Sequence, residues 1–257
     1  MQERHLIYDG TFDGFLSCIF YIYEHNLDQV HIQNEFELQE RLFSEFETVI
    51  TDIDKANRVW KGLKSKLSKM GCYQLYYAFL SEEATIENTL LSYVRYAFGN
   101  QLKADKNYAN PYVLKVAQTA KKVGREKHRM EAFVRFRLTK DQVYFASIEP
   151  DFNVLPLISK HFKRRYADQK WMIYDIKRRY GLYYDLNTVE IIQMAFPEGF
   201  DMTKNDTAMF TAQELEFQKL WQDYFKSTNI ESRKNMKLHV RHVPKRYWKY
   251  LSEKQPN

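Results

Sequence analysis

Cysteine is almost missing from this chain: Cys18 and Cys72 are the only two in 257 residues, far apart and without paired spacing. That ligand count excludes a disulfide framework and a cysteine-rich zinc or iron–sulfur centre. A reducing cytoplasm is the simplest location. Glycine is scarce too, with eight residues, which favours packed helices and strands over glycine-rich loops. There is no GxxxxGKS/T loop, no GxGxxG after a strand and no GxSxG elbow. Nucleoside-triphosphate folds, dinucleotide folds and an acyl-transfer serine therefore have no support. The longest near-apolar run, FLSCIFYIY at 15–23, is about half the length of a bilayer span and reads as a buried helix. MQERHLIYDG has no basic leader followed by an apolar stretch, so no secretory signal is expected. No cofactor is expected either.

What the chain does have is aromatic residues, at 16%, and segregated charge. Residues 1–110 carry 11 Lys and Arg against 16 Asp and Glu, whereas 121–182 carry 16 against 7. An acidic block follows at 183–225, with 2 against 8, and then a basic one at 226–249, with 8 against 1. Two basic blocks folded onto one face make a footprint for a polyanion. On opposite faces they are ordinary solvated surface. A membrane surface fits less well, because no long amphipathic helix with a lipid-facing stripe accompanies them.

The hydrophobic pattern predicts an α+β chain. RHLIY at 4–8 reads as a strand, ended by Asp9-Gly10, and Thr11 caps a helix with Phe12, Phe15, Leu16, Ile19 and Phe20 at helical spacing. A strand at 28–33 and a short helix near 38–46 follow. Thr51 and Asp54 open a longer helix carrying Ala56 to Met70, which Gly71 stops, and further helices are expected near 73–80 and 82–98. The N-terminal half is thus an α/β start leading into a mostly helical region. The polar stretch at 97–111 marks a boundary between an N-terminal region, 1–106, and a basic α+β region with C-terminal helices, 107–257, unless the two form one continuous domain. A helix from about 112 then gives way to period-two strands at 133–138 and 143–148, flanking a turn. A helix near 153–166 and strands at 171–176, 181–186 and 189–194 complete an antiparallel-rich middle sheet with one helix. TAQE at 211–214 opens an amphipathic helix, and Pro244 a last short one.

GREKHRMEAFVRFRL at 124–138 holds five Arg or Lys, one His and two Phe. On a helix, Lys121, Arg125 and Arg129 lie on one line at four-residue spacing. On the following strand, Arg135 and Arg137 share one face, while Val134, Phe136 and Leu138 take the other. Arginine suits phosphate because its planar fork grips two oxygens at once and stacks on bases. Pairing with Glu126 and Glu131 is the structural alternative. Two further clusters extend the stripe: Lys163, Arg164 and Arg165, which also suit a helix C-terminus without any ligand, and Lys177, Arg178 and Arg179. A third, at 233–250, adds Lys237, Arg241, Lys245 and Arg246 among Tyr247, Trp248 and Tyr250. Rings beside cations stack on unpaired bases, although Tyr247, Trp248 and Leu251 also have core spacing. For acid–base chemistry the weak candidates are Glu126 and His128. Residues two apart on a helix do not face one another, so they cooperate only where the helix ends. HVRH at 239–242 lacks a third metal ligand, and YDGTFDG at 8–14 is either an anion site at a helix start or an ordinary cap.

YDGTFDGFLSCIF, REKHRMEAFVRF and RKNMKL with VPKRYWKYLSE, in that order, resemble a bacterial family described as DNA-metabolism or DNA-repair-associated. The likeness covers nearly the whole chain. It implies a radical-SAM protein as partner, and a relationship to a domain elsewhere fused to a uracil-DNA-glycosylase-like domain. It brings no catalytic residues. This chain has neither the CxxxCxxC cluster motif of radical-SAM enzymes nor the water-activating motifs of uracil-DNA glycosylases, so the resemblance implies that chemistry sits in the partner. The expected function is therefore DNA binding, in repair or modification, as an accessory that positions DNA for that partner. The alternatives are a nucleic-acid-processing lyase or nuclease in its own right, and a protein-interaction scaffold.

Overall fold

In the computed structural model, which describes residues 4–35, 45–100, 104–194, 210, 220, 240, 243–251 and 254, the chain clusters into two units, Met1–Gly124 and Arg125–Asn257. The fold class is α+β. Among the described residues no helix is long and apolar enough to cross a membrane.

The first unit is built on a three-stranded parallel sheet in the order β2-β1-β3. β1 (Arg4–Tyr8) is buried from His5 onward, as a central parallel strand covered on both faces must be. Gly10, at φ 75°, makes the turn that a side chain would strain. Thr11 then caps α1 (Phe12–Glu24), its Oγ1 accepting from the Gly14 N–H at 2.9 Å. β2 (Val30–Asn34) and β3 (Glu45–Thr48) flank β1. Asp52 caps α2 (Ile53–Lys66) and Ser68 caps α3 (Lys69–Phe79). α4 (Ile86–Gly99) follows, and Phe12 anchors the packing by touching Trp60, Tyr76 and Phe79 at 5.0–5.5 Å between ring centroids. α5 spans Pro111–Phe133, and the division between the units falls within it.

The second unit carries a mixed sheet in the order β4-β5-β6-β7-β8. β4 (Arg137–Leu138) is antiparallel to β5 (Tyr144–Ile148), which runs parallel to β6 (Trp171–Asp175) through α6 (Leu155–Arg165). β7 (Tyr180–Tyr184) and β8 (Val189–Ile192) complete it as antiparallel neighbours. One face is covered by α6, where Phe162 meets Phe136 and Trp171. On the other face Phe145 and Tyr174 cluster with Phe210. A 3-10 helix, Lys245–Tyr250, lies beyond.

Several expectations shift. β3 occupies the end of the segment expected as a helix near 38–46, the rest of which lies outside the described residues; glutamates at 45 and 47 hide the strand pattern. The helix expected to run to Met70 breaks at Leu67-Ser68, and Gly71 sits in the first turn of α3. There Asp105 accepts from the Ser68 N–H at 2.9 Å, and a Cβ on Gly71 would come within 2.7 Å of that carboxylate side chain. α5 continues through Phe133, so the strand expected at 133–138 shortens to two residues. Its apolar residues satisfy both periods, and Phe133 is held as helix against Tyr247, ring centroids 5.6 Å apart. The TAQE helix falls outside the described residues, apart from Leu220.

Gly181 on β7 tests the sheet. A Cβ there would stand 2.8 Å from the Ile173 carbonyl oxygen and 3.0 Å from the Tyr174 ring. Gly181→Ala is expected to destabilise the second unit by about 1–3 kcal/mol, the usual cost of overpacking, measured by chemical denaturation.

Candidate nucleic-acid interface

Glu126 stands near the C-terminal end of α5 with 1% of its surface exposed. A carboxylate so buried is tolerated only when its oxygens are occupied by donors. Its Oε1 accepts from the Asp151 backbone N–H at 3.0 Å and from the Tyr247 hydroxyl. Its Oε2 accepts from Arg246 Nη2 at 3.1 Å and Arg129 Nη1 at 3.4 Å. The same Arg246 nitrogen reaches Asp151 Oδ2 at 2.7 Å, and its guanidinium lies 4.6 Å from the Tyr247 ring centroid. Burial and the bond to Glu126 push the Tyr247 hydroxyl well above its usual range. Burial alone would lower the Arg246 pKa, but Tyr247, Glu126 and Asp151 outweigh it and hold it above its ordinary value.

Glu149-Pro150-Asp151 follows β5 directly, and a second cation set converges on it. Asp175, fully buried at the end of β6, pairs with Arg178 Nη1 at 2.9 Å. That guanidinium also donates to the carbonyls of Pro150 and Asp151, both at 3.1 Å, and Lys177 reaches the Asp151 carbonyl at 3.4 Å. Lys249 and Tyr250 both bond Glu149 at 2.5 Å, and these contacts hold its carboxyl below the usual range. Segments that are up to 121 residues apart thus meet outside the carboxyl ends of the parallel pair β5 and β6. That is where open sheets with parallel strands place their ligand sites.

The cations foreseen from sequence divide into three groups. Arg129, Arg178 and Arg246 are locked into this network. Arg135 caps α5, donating to the Ala132 carbonyl at 2.8 Å. Arg137 alternates with Leu138 as expected, but its face is not solvent: it is 8% exposed with its guanidinium 4.2 Å from the Phe210 ring centroid. Lys177 is exposed beside the network. Arg125, Arg179 and Lys245 are also exposed and adjoin members of the network in sequence, and their side chains have no hydrogen-bond or ion-pair partner among the described residues.

Lys163, Arg164 and Arg165 are not brought here. α6 ends where β6 begins, so they lie at the opposite end of a five-residue strand pair, about 17 Å long at 3.3 Å per residue. Lys163 bonds the Asn187 carbonyl there, and Arg165 lies over Tyr166. Lys121 is exposed in the first unit; Lys237 and Arg241 are outside the described residues. His128 is 86% exposed and its nearest carboxylate is Glu131, at 3.9 Å, not Glu126. The start of α1 is filled from within: the Asp9 carboxylate takes the Thr11 N–H at 3.0 Å and the Thr51 hydroxyl at 2.7 Å. No cluster able to hold a metal ion occurs among the described residues. Sequence reasoning missed Glu149, Asp151 and Asp175, whose signal was acidic residues directly after or at the end of strands.

A model of the family described as a domain of unknown function, DUF4130, matches residues 84–253. No curated protein matches the chain. Among solved structures, the chain is similar to the pGpG-specific phosphodiesterase PggH from Vibrio cholerae, at 9% identity and a TM-score of 0.36, covering 71% of this chain and 81% of that one.

Two outcomes test the network. Tyr247→Phe removes a hydrogen bond to a charged buried acceptor and is expected to cost about 1.5–3 kcal/mol in denaturant unfolding. Burial raises the Asp175 carboxyl above its ordinary value, against the opposing pull of Arg178. A raised carboxyl contributes stability that is complete below its unfolded value and lost as pH rises through the folded one. Arg178→Met raises it further, so the deficit of that variant relative to wild type should be larger at about pH 7.5 than at about pH 3.5, below the unperturbed aspartate value.

Proposed function

The chain belongs to the DUF4130 family, whose match spans every segment of the basic rim, and we propose that this rim binds nucleic acid, with DNA as the ligand, in repair or modification. The observation that carries this reading is the convergence of three basic segments at one end of the second unit's sheet. Arg178 and Arg246 brace the loop after β5, Arg129 pairs with the Glu126 that holds it, and the charges of all three are spent on internal carboxylates. Arg125, Arg179 and Lys245 adjoin them in sequence and their side chains have no internal partner among the described residues, which suits phosphate contacts that position a strand without reading its sequence.

The accessory role, positioning DNA for a radical-SAM partner, rests on the resemblance of the motif order. It is supported by the state of Glu126, whose oxygens are engaged by Asp151, Tyr247, Arg129 and Arg246, and by the distance of His128 from it in environment. A scaffold for an external reaction fits these groups better than an acid–base pair does.

Fluorescence-anisotropy binding to duplex and single-stranded DNA across a salt series tests the reading. Each phosphate neutralised in duplex adds about −0.9 to the slope of log affinity against log salt. The triple variant Arg125→Ala, Arg179→Asn, Lys245→Ala, with asparagine chosen for the left-handed backbone at 179, should flatten that slope by about 2–3. Unchanged affinity and slope in this variant would sink the assignment of the rim.

A further inference from the structure

The first unit holds an open cleft of about 760 Å³ beside α3, within the usual size range of small-ligand sites, about 300–1,000 Å³. Its floor exists because α5 presents small residues there: Ala117 and Ala120 line it. One turn on, the Gly124 position faces the Tyr77 ring, 3.7 Å from where a Cβ would sit. Its walls are Tyr73, Tyr77 and Tyr108, with Tyr73 and Tyr108 59% and 52% exposed. Gln74, Gln118, Lys121 and the exposed Met70 also line it. Neither glutamine amide has a hydrogen-bond partner among the described residues, and Lys121 has no ion pair.

These groups sort by chemistry. Exposed phenol rings offer stacking faces that accept any base. An amide carries both a donor and an acceptor, which matches the mixed edge of a nucleobase and has no use for an acyl chain. An unpaired ammonium beside them suits a phosphate. We propose that this cleft holds an unpaired nucleobase, stacked on its tyrosine wall and bonded by Gln74 and Gln118, with Lys121 on the adjoining phosphate. The inference rests on the nucleic-acid reading above for the source of the base. It adds a preference for single-stranded or locally opened DNA, carried by residues that lie wholly in the first unit.

A single-stranded oligonucleotide containing 2-aminopurine is the probe, because its fluorescence falls when the base stacks. Wild-type protein should quench it and bind it. Tyr73→Ala with Tyr108→Ala, both more than half exposed, should weaken single-strand affinity about tenfold, the scale of losing one stacked base, and leave duplex affinity unchanged. Ala117→Leu, which fills the cleft and removes no polar group, should do the same; circular dichroism melts confirm that both variants fold. Equal quenching and affinity in wild type and variants overturns the cleft and leaves the rim standing. Quenching of free 2-aminopurine nucleoside monophosphate without binding of any strand does the reverse: it upholds the cleft and overturns the nucleic-acid reading.

Discussion

A carboxylate that cannot reach water dictates the arrangement of the second unit. Glu126 is enclosed by groups from three other places in the sequence, and each satisfies it only in one position. The Asp151 N–H fixes the loop after β5, Tyr247 and Arg246 fix the 3-10 helix, and Arg129 closes the set from α5, which also carries Glu126. A buried charge costs several kcal/mol unless compensated in full, so these elements are not independently adjustable. Asp175 repeats the arrangement at the end of β6, with Arg178 as its cation and the carbonyls of Pro150 and Asp151 as the further anchors. The two carboxylates grip the same loop from opposite partners.

This division of cations explains why the basic composition alone is a poor guide to a binding surface. Arginine is used three ways within one short stretch: Arg125 is solvated, Arg129 neutralises a buried acid, and Arg135 ties off helix carbonyls. Arg137 is enclosed over an aromatic ring. Lys163 to Arg165 show the companion effect. They look continuous with the 177–179 cluster in sequence, but a parallel connection returns the chain to the far end of the sheet before the second cluster is reached.

Much of the architecture was legible because local signals agreed. Thr11 after Asp9-Gly10 announced α1, and the alternating runs at 143–148, 171–176 and 181–186 announced β5, β6 and β7. β3 was not legible, since alternating glutamates mask a short strand whose pairing with β1 is decided by distant residues. The end of α5 was ambiguous because FVRFRL satisfies both a helical and a strand period, and contact with Tyr247 settles it. At the site, the cationic residue types were visible, but their roles depend on acids far away in sequence. Asp151 and Asp175 are marked only by their places just after and at the end of strands. The tyrosine-lined cleft was equally hidden, because its rings come from α3 and a loop, and its floor from alanines on another helix.

The separation between Glu126 and Arg246 has a consequence for biosynthesis. The carboxylate is made 120 residues before Arg246, roughly ten seconds earlier at typical rates of about 5–20 residues per second. Throughout that interval the loop after β5 lacks the Arg246 side chain, which bridges Asp151 to Glu126 on α5. The sheet can pair as its strands emerge, but the network around Glu126 and Asp151 closes only when the 3-10 helix arrives. A nascent chain therefore has its strands before the network at their ends is complete.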